Sequence, residues 1–311
     1  MATPSISTTY VGKGALDFVT PALLNGKTIQ GKYITVIPNV KKSYKLQIAD
    51  LSNVIQADSG CSFNDQGQVT ISERSLSPVK LKVNLEECRT TLESHWQAEM
   101  MISGAMNSNQ TEAYKAFLTK KIQAQVAIGI DRLIWIGNLS GGTAGIYATF
   151  PFLTTADGIF TKAVADSATV KQTGTTLTSS NILAELDKVI AKIPDATFFK
   201  GEVKIFMAYS ALRLFRLAIP QTYLANSNFN IQNTIVDKYR EIELVGVPLA
   251  DNKMLAAEPA NLFFGTDLLD DDMEYKIIDL YDTTGDNKIR VIMRFSADQN
   301  YAISSEVVVY N

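Results

Sequence analysis

The chain has 311 residues and a mass of 34.1 kDa, with 46% hydrophobic and 20% charged residues. A formal charge of -3 and a pI near 5.4, from 32 acidic and 29 basic residues, exclude a protein that coats phosphate backbones by bulk electrostatics. Two cysteines, Cys61 and Cys88, and one histidine, His95, exclude a structural zinc site and a disulfide framework. A single bridge between Cys61 and Cys88 stays open, although two buried thiols in a reducing cytosol fit the composition better. Met1 to Lys13 lacks the basic start and apolar run of a signal peptide, and no stretch of about 18 apolar residues occurs. The expectation is a chain made in the cytosol that stays there or leaves by a route needing no signal.

The first thirty residues, rich in Thr, Ser, Gly and Pro, carry no sustained period and read as an extended lead-in. From Lys32 to Glu86 the pattern predicts strands. Tyr33 to Val36 is β-prone, Tyr44, Leu46 and Ile48 alternate with polar neighbours, and Val69 and Ile71 flank Thr70. Val79, Leu81, Val83 and Leu85 interleave with Lys80, Lys82, Asn84 and Glu86, as in a strand with one dry and one wet face. Turns are expected at Asp58 to Gly60 and Asn64 to Gly67.

Cys88, Leu92, Trp96 and Met100, spaced by four, predict a short helix over Glu87 to Met101. A longer one follows. Asn109 and Glu112 form a capping-box variant, and Tyr114, Leu118, Ile122, Val126, Ile130 and Leu133 repeat on a single helical face. Ended by Gly137, Asn138, Gly141 and Gly142, this helix from Asn109 to Ile136 is a rod of roughly 42 Å.

After a Thr-rich connection from Thr154 to Ser180, Ile182, Leu186, Val189 and Ile193 predict a helix over Asn181 to Ile193. A strand at Val203 to Met207 and a helix at Ser210 to Leu217 come next, then an Asn-rich loop from Gln221 to Gln232. Further strands are expected at Ile242 to Val247, Leu262 to Gly265, Glu274 to Leu280, Ile289 to Phe295 and Ile303 to Tyr310, with a turn at Asp282 to Asn287. No repeat or low-complexity tract is present. The fold class is α+β with mainly antiparallel strands.

Catalytic signatures are missing. Gly137 to Thr143 follows a helix and has no lysine, so it is a helix stop and no phosphate-binding loop. No Gly-x-Ser-x-Gly elbow occurs, and any hydrolytic triad would depend on His95, whose neighbours Leu92 and Trp96 indicate a helix side facing protein. Cys88 lies two helical turns from that histidine, too far for direct contact, and reads as a core residue. Asp267, Asp270, Asp271 and Asp272 lack the spacing of a calcium loop and read as a solvated turn. Lys41, Lys42 and Lys45 around Tyr44 read as a solvated strand edge. No catalytic, cofactor-binding or metal-binding residue is assigned.

The order of elements resembles the major capsid proteins of tailed bacteriophages, whose fold is shared with encapsulin shells. Three stretches carry the resemblance. Leu81 to Glu99 followed by Tyr114 to Gly142 resembles the family's strand, short helix and long spine helix, ending in "IDRLIWIGNLSGG". Next, "ILAELDKVIAKIP" with "EVKIFMAYSALRLFRL" resembles the helix, strand and helix of the axial domain. Last, "IELVGVPLADNKML", "ANLFFGTDLL" and "IRVIMRFSADQNYAISSEVVVY" resemble the return path that closes the peripheral sheet. Each is a loose pattern of apolar and glycine positions, and their order persuades more than any one of them.

The resemblance implies an N-terminal arm at 1–31, an extended β loop at 32–77, a peripheral domain at 78–144 and 256–311 with the spine helix, and an axial domain at 145–255. It implies a structural subunit of an icosahedral phage head, not an enzyme, assembled in the host cytoplasm and ending in the virion. Partners implied are copies of itself in hexamers and pentamers, scaffold and portal proteins, decoration proteins, and packaged double-stranded DNA by weak non-specific contact, with no membrane and no cofactor. An encapsulin-like cargo shell is the alternative, and a cytosolic enzyme with a carboxylate or metal site a more distant one. A physical argument stands beside it: strands over Lys32 to Leu85 that project need a neighbour to cover them. Arm and loop are therefore expected to rest on other copies of the chain, in heterologous contacts that close into rings.

Overall fold

Apolar burial produces the first departure from the sequence reading. The computed structural model describes residues 8–11, 16–52, 55, 68–88, 111–219, 237–267, 274–280, 284–286 and 288–311. Strand β1 (Thr8–Val11) is followed by helices α1 (Leu16–Leu24) and α2 (Lys27–Gln30), where an extended lead-in was expected. Val19, Ala22 and Leu23 occupy one side of α1 and are fully buried. Pro21 inside a nine-residue helix masks this short period, because proline reads as a breaker. The second helix is capped from far away. Asp131 Oδ1 accepts the Thr28 N–H at 3.1 Å, and the Trp135 indole N–H donates to Thr28 Oγ1 at 2.8 Å.

Strand β2 (Thr35–Ile37) starts two residues later than its β-prone sequence suggests, since Tyr33 packs edge-on against Phe206 with ring centroids 6.0 Å apart. Then come β3 (Tyr44–Ser52) and β4 (Gln68–Leu76), antiparallel from Tyr44 opposite Leu76 to Ser52 opposite Gln68. Strand β5 (Val79–Cys88) continues through Glu87 and Cys88, so the expected helix does not start there; its remainder, with His95, lies outside the described residues.

Helix α3 (Thr111–Ile136) has 26 residues and a length of roughly 39 Å. Leu118, Ile122, Val126, Ile130 and Leu133 are buried along the predicted face. Its expected cap Asn109 lies outside the described residues, as do both predicted turns before β4. After α3 comes α4 (Ile146–Thr149), and the connection expected from Thr154 to Ser180 contains α5 (Ile159–Ala165) and β6 (Val170–Gln172). At the exit from α3, two chain segments meet at glycines. The Gly158 N–H donates to Gly137 O at 2.8 Å, and a Cβ on Gly158 would sit 2.6 Å from the Trp135 backbone.

Helix α6 (Ile182–Ile190), α7 (Asp195–Lys200), β7 (Lys204–Ala208) and α8 (Tyr209–Ala218) follow. The Asn-rich loop lies outside the described residues. Strands β8 (Lys238–Tyr239), β9 (Ile242–Val247), β10 (Met254–Ala257), β11 (Leu262–Gly265) and β12 (Glu274–Asp279) lead to β13 (Lys288–Tyr301) and β14 (Val308–Tyr310). A 3-10 turn at Ser304–Glu306 breaks the strand expected from Ile303 onward.

Two six-stranded sheets organise the body. In the first, ordered β1-β12-β13-β11-β2, β5 also pairs with β13 from Val79 opposite Ala297 to Cys88 opposite Lys288. Ile289, Val291, Met293 and Phe295 alternate into the core along β13. The second runs β6-β14-β10-β7-β9-β8, with α6 and α8 packed on it. Both sheets share one hydrophobic core with α3, where Trp135 and Phe206 bring their rings to 4.8 Å.

Candidate assembly surface

Strands β3 and β4 form a two-stranded sheet that pairs with no third strand among the described residues. A lone hairpin is marginal in water, so its stability must come from its root or from a neighbour. At the root, Leu46, Leu76 and Val40 are buried, the last two both lying against Gly265. Tyr44, opposite Leu76, is 44% exposed and Ile71, further out, 66%, and Lys45 and Gln47 reach Glu73 at 2.7 and 3.0 Å on the solvated surface. Those bonds hold the Glu73 carboxyl below its ordinary range, the Lys45 hydrogen bond first.

Polar groups fasten the β4 end of the root to the body at three points. The Arg74 guanidinium donates to Asp166, just past α5, and to Ser304, and its carbon lies 4.3 Å from the Tyr301 ring centroid. Asn300 Nδ2 donates to Ser75 O at 2.9 Å. The Ser77 N–H donates to Asp298 Oδ2 at 2.7 Å, while Lys162 Nζ donates to Asp298 Oδ1 at 2.9 Å. Tyr301 closes the cluster through its hydroxyl, which donates to Asp166 Oδ2 at 2.8 Å. Burial works to raise the Asp166 carboxyl, but hydrogen bonds from the Ala168 N–H, Tyr301, Arg74 and Ser304 overcome it and hold the group well below the carboxylate range. Burial and the bond to Asp166 push the Tyr301 phenol up.

Residues singled out in the sequence are dispersed. Cys88, expected in the core, is exposed at the end of β5, because the segment is a strand whose last residues face solvent. Asp267, expected in a solvated turn, is buried and bridged to Asn39, which draws it under the chain entering the hairpin. Lys41, Lys42 and Lys45 are exposed, as a solvated edge requires. Cys61, His95, Asp270, Asp271 and Asp272 lie outside the described residues. Among the described residues, no group of three or more His, Cys, Asp or Glu converges as metal ligands, and no helix is long and apolar enough to cross a membrane.

A cleft of about 1150 Å³ opens between α2, α3 and α8, lined by Lys27, Tyr33, Asp131, Arg132 and Tyr209 among others. Its polar groups are committed to the fold. Lys27 Nζ donates to Gly246 O at 3.2 Å, Arg132 stacks on Phe150 and Asp131 caps α2. Burial raises the Asp131 carboxyl, with the Thr28 contacts and Lys27 opposing.

No protein-family model and no curated protein sequence matches the chain. Solved structures do. A chain of the satellite phage P4 procapsid, which includes the size-determination protein Sid, aligns with a TM-score of 0.61 at 11% identity over 95% of this chain and 98% of that one. The capsid of a native GTA particle gives 0.55 at 11% over 93% and 89%. A virus-like particle from Pyrococcus furiosus gives 0.51 at 11% over 96% and 96%. The chain has the phage capsid fold. On this capsid fold, large apolar side chains outside the hairpin are also exposed. Phe199 on α7 is 90% and Leu217 on α8 is 74% exposed. Next to Phe199, Lys200 is anchored to Glu306 at 2.8 Å and Glu258 at 3.3 Å, so the short helix presenting the ring is tied down. Sequence reasoning missed the Arg74 cluster, because Arg74, Asp166 and Tyr301 come from three distant segments with no local signature joining them.

Proposed function

We propose that the chain is a major capsid protein, the structural subunit of an icosahedral phage head that associates with copies of itself in hexamers and pentamers. The observation that carries this is correspondence along nearly the whole of both chains with a procapsid subunit, 95% of this one and 98% of that one. The hairpin supports it: a two-stranded ribbon with Tyr44 and Ile71 outward needs a surface to lie on, and a neighbouring copy supplies one.

In this reading residues 32–77 are the extended loop, 78–144 and 256–311 the peripheral domain around α3, and 145–255 the axial domain. Strand β14 reaches into the sheet of β7 and β9 and so ties the last residues to the axial part. The arm, 1–31, contributes β1 to the first sheet and docks α1 on α3. No covalent chemistry is required; the work is exchange between packings of hairpin and body. Scaffold, portal and decoration proteins are the expected partners. Packaged DNA meets a near-neutral subunit that encloses without gripping, during assembly in the host cytoplasm and in the finished virion.

Electron microscopy and analytical ultracentrifugation of the purified chain test the proposal. Rings or shells of many copies are expected. A monodisperse 34 kDa monomer at micromolar concentration with a measurable enzymatic activity overturns it. Similarity to the virus-like particle carries a second reading, a cargo-enclosing shell. Contents of shells isolated from producing cells separate the two: DNA fits a phage head, a stoichiometric protein and no nucleic acid a cargo shell.

A further inference from the structure

Three attachment points lie close together on one side of the hairpin, at Arg74 and Ser75 on β4 and Ser77 just beyond it, and they bind groups just past α5, on β13 and in the turn after it. The β3 arm enters differently, through backbone pairing: the Val40 N–H donates to Thr266 O at 3.2 Å, and Asn39 bridges Asp267. Among the described residues, only the β4 side is therefore fastened to the body by polar side chains. Among its attachments Arg74 is the one with most partners. A planar guanidinium bonded to a carboxylate and a hydroxyl while stacked on a ring is fixed in direction as well as position. Its carboxylate partner cannot turn away, because Asp166 Oδ1 accepts the Ala168 N–H at 2.9 Å and Oδ2 accepts from Tyr301, whose side chain is fully buried.

We propose that Arg74 is the positioning residue of the hairpin: held between Asp166, Ser304 and the Tyr301 ring, it fixes the angle at which β3 and β4 leave the body. Apolar contacts of Leu46 and Leu76 keep the root attached, but such contacts are non-directional and permit tilting. Direction comes from the guanidinium. Loss of its fork leaves the ladder from Tyr44–Leu76 to Ser52–Gln68 in place, supported at its root by the buried Leu46 and Leu76, and leaves its angle undetermined. The angle is a property of one chain; its consequence for shell assembly rests on the capsid reading.

Spin-label distance measurement separates the two. Nitroxides are placed at Ile71→Cys and Lys192→Cys, both exposed, in a full-length chain carrying Cys61→Ser and Cys88→Ser, diluted with unlabelled chain so that only distances within a subunit are read. One narrow distance peak is expected for the parent, and a broad distribution for Arg74→Gln and for Asp166→Asn at unchanged helix content. Arg74→Lys, which keeps the charge but not the planar fork, is expected to stay broad, an outcome that charge alone would not give. Should Arg74→Gln fail to fold, Ser304→Ala, which removes one partner of the guanidinium, and Tyr301→Phe, which keeps the ring but takes the phenol donor from Asp166, are expected to widen the peak partially. A peak as narrow as the parent's in the folded variants overturns the proposal. Shell formation is scored separately. If the labelled parent makes no shells while Arg74→Gln broadens the peak, the capsid reading fails and the positioning role stands.

Discussion

Asp131 and Asp166 show how two carboxylates on one chain are set to opposite purposes. Asp131 is buried on α3 with one structural duty, accepting the Thr28 N–H, and burial raises its pKa. Asp131→Asn keeps that acceptor and removes a buried charge, so its unfolding free energy in urea should match the parent within about 1 kcal/mol. Asp131→Ala strands a buried donor and should cost about 1–3 kcal/mol in the same titration. Asp166 is the reverse, with a folded pKa held below its unfolded value by its donors. Its contribution is complete above the unfolded carboxylate value near pH 4 and is lost as pH falls through the folded value. Below about pH 4 the parent should lose stability more steeply than Asp166→Asn, which in turn should be weaker by about 2 kcal/mol at neutral pH. Chemical denaturation of chain kept dilute enough not to assemble, at a series of pH values, checks both. Neither role was legible in the sequence. Asp131 sits inside a helical motif where an acid reads as a solvated side chain, and its partner lies over a hundred positions earlier.

Periodicity revealed elements in proportion to their length. The face from Leu118 to Leu133 recurs over several turns, and α3 ends at Ile136 as expected, with Gly137 beyond it. Alternation was equally plain along Val79 to Leu85, and β5 lies there. What escaped was short or interrupted. Helix α1 carries a proline, α5 lies in a Thr-rich connection, and β10 is four residues long and ends in two alanines, which have little strand preference. Gly137, Gly141 and Gly142 were read as a stop after α3, and Gly158, which meets that exit, went unread; glycines there do two different things. At Gly158 an added methyl would meet the Trp135 backbone, which cannot step aside; Gly158→Ala should destabilise by about 3 kcal/mol. Gly142 has φ +68° with open space around it, so Gly142→Ala should cost only about 1–2 kcal/mol of left-handed backbone strain. Thermal unfolding of the two variants side by side distinguishes crowding from strain.

For the whole molecule, the expectation that arm and loop both rest on other copies divides in two. Residues 19–40 fold back on their own chain: Val19, Leu23, Ile34 and Val40 are buried, and the Tyr33 hydroxyl donates to Glu243 Oε1 at 3.1 Å. The hairpin does not fold back beyond its root. Ile71→Asp is therefore expected to leave the isolated subunit within about 0.5 kcal/mol of the parent, as exposed sites do, and to abolish rings and shells in electron micrographs if the hairpin lies on a neighbour. Shells of normal appearance from this variant would remove the hairpin from the interface. Sequence could order the elements but not say which apolar residues stay outside, because burial is decided by segments hundreds of positions apart.

One pairing also constrains the history of each molecule. Strand β1 lies at the edge of the first sheet with Thr8 opposite Ile277, so it has no partner until a strand more than 260 positions further along has been made. Closing so wide a loop is slow, and the waiting rim of β12 is open to any stray strand in a crowded cell. Growing chains held apart, by a chaperone or simply by dilution, would reach the finished sheet; chains brought together too early would mispair before they had learned which end was their own.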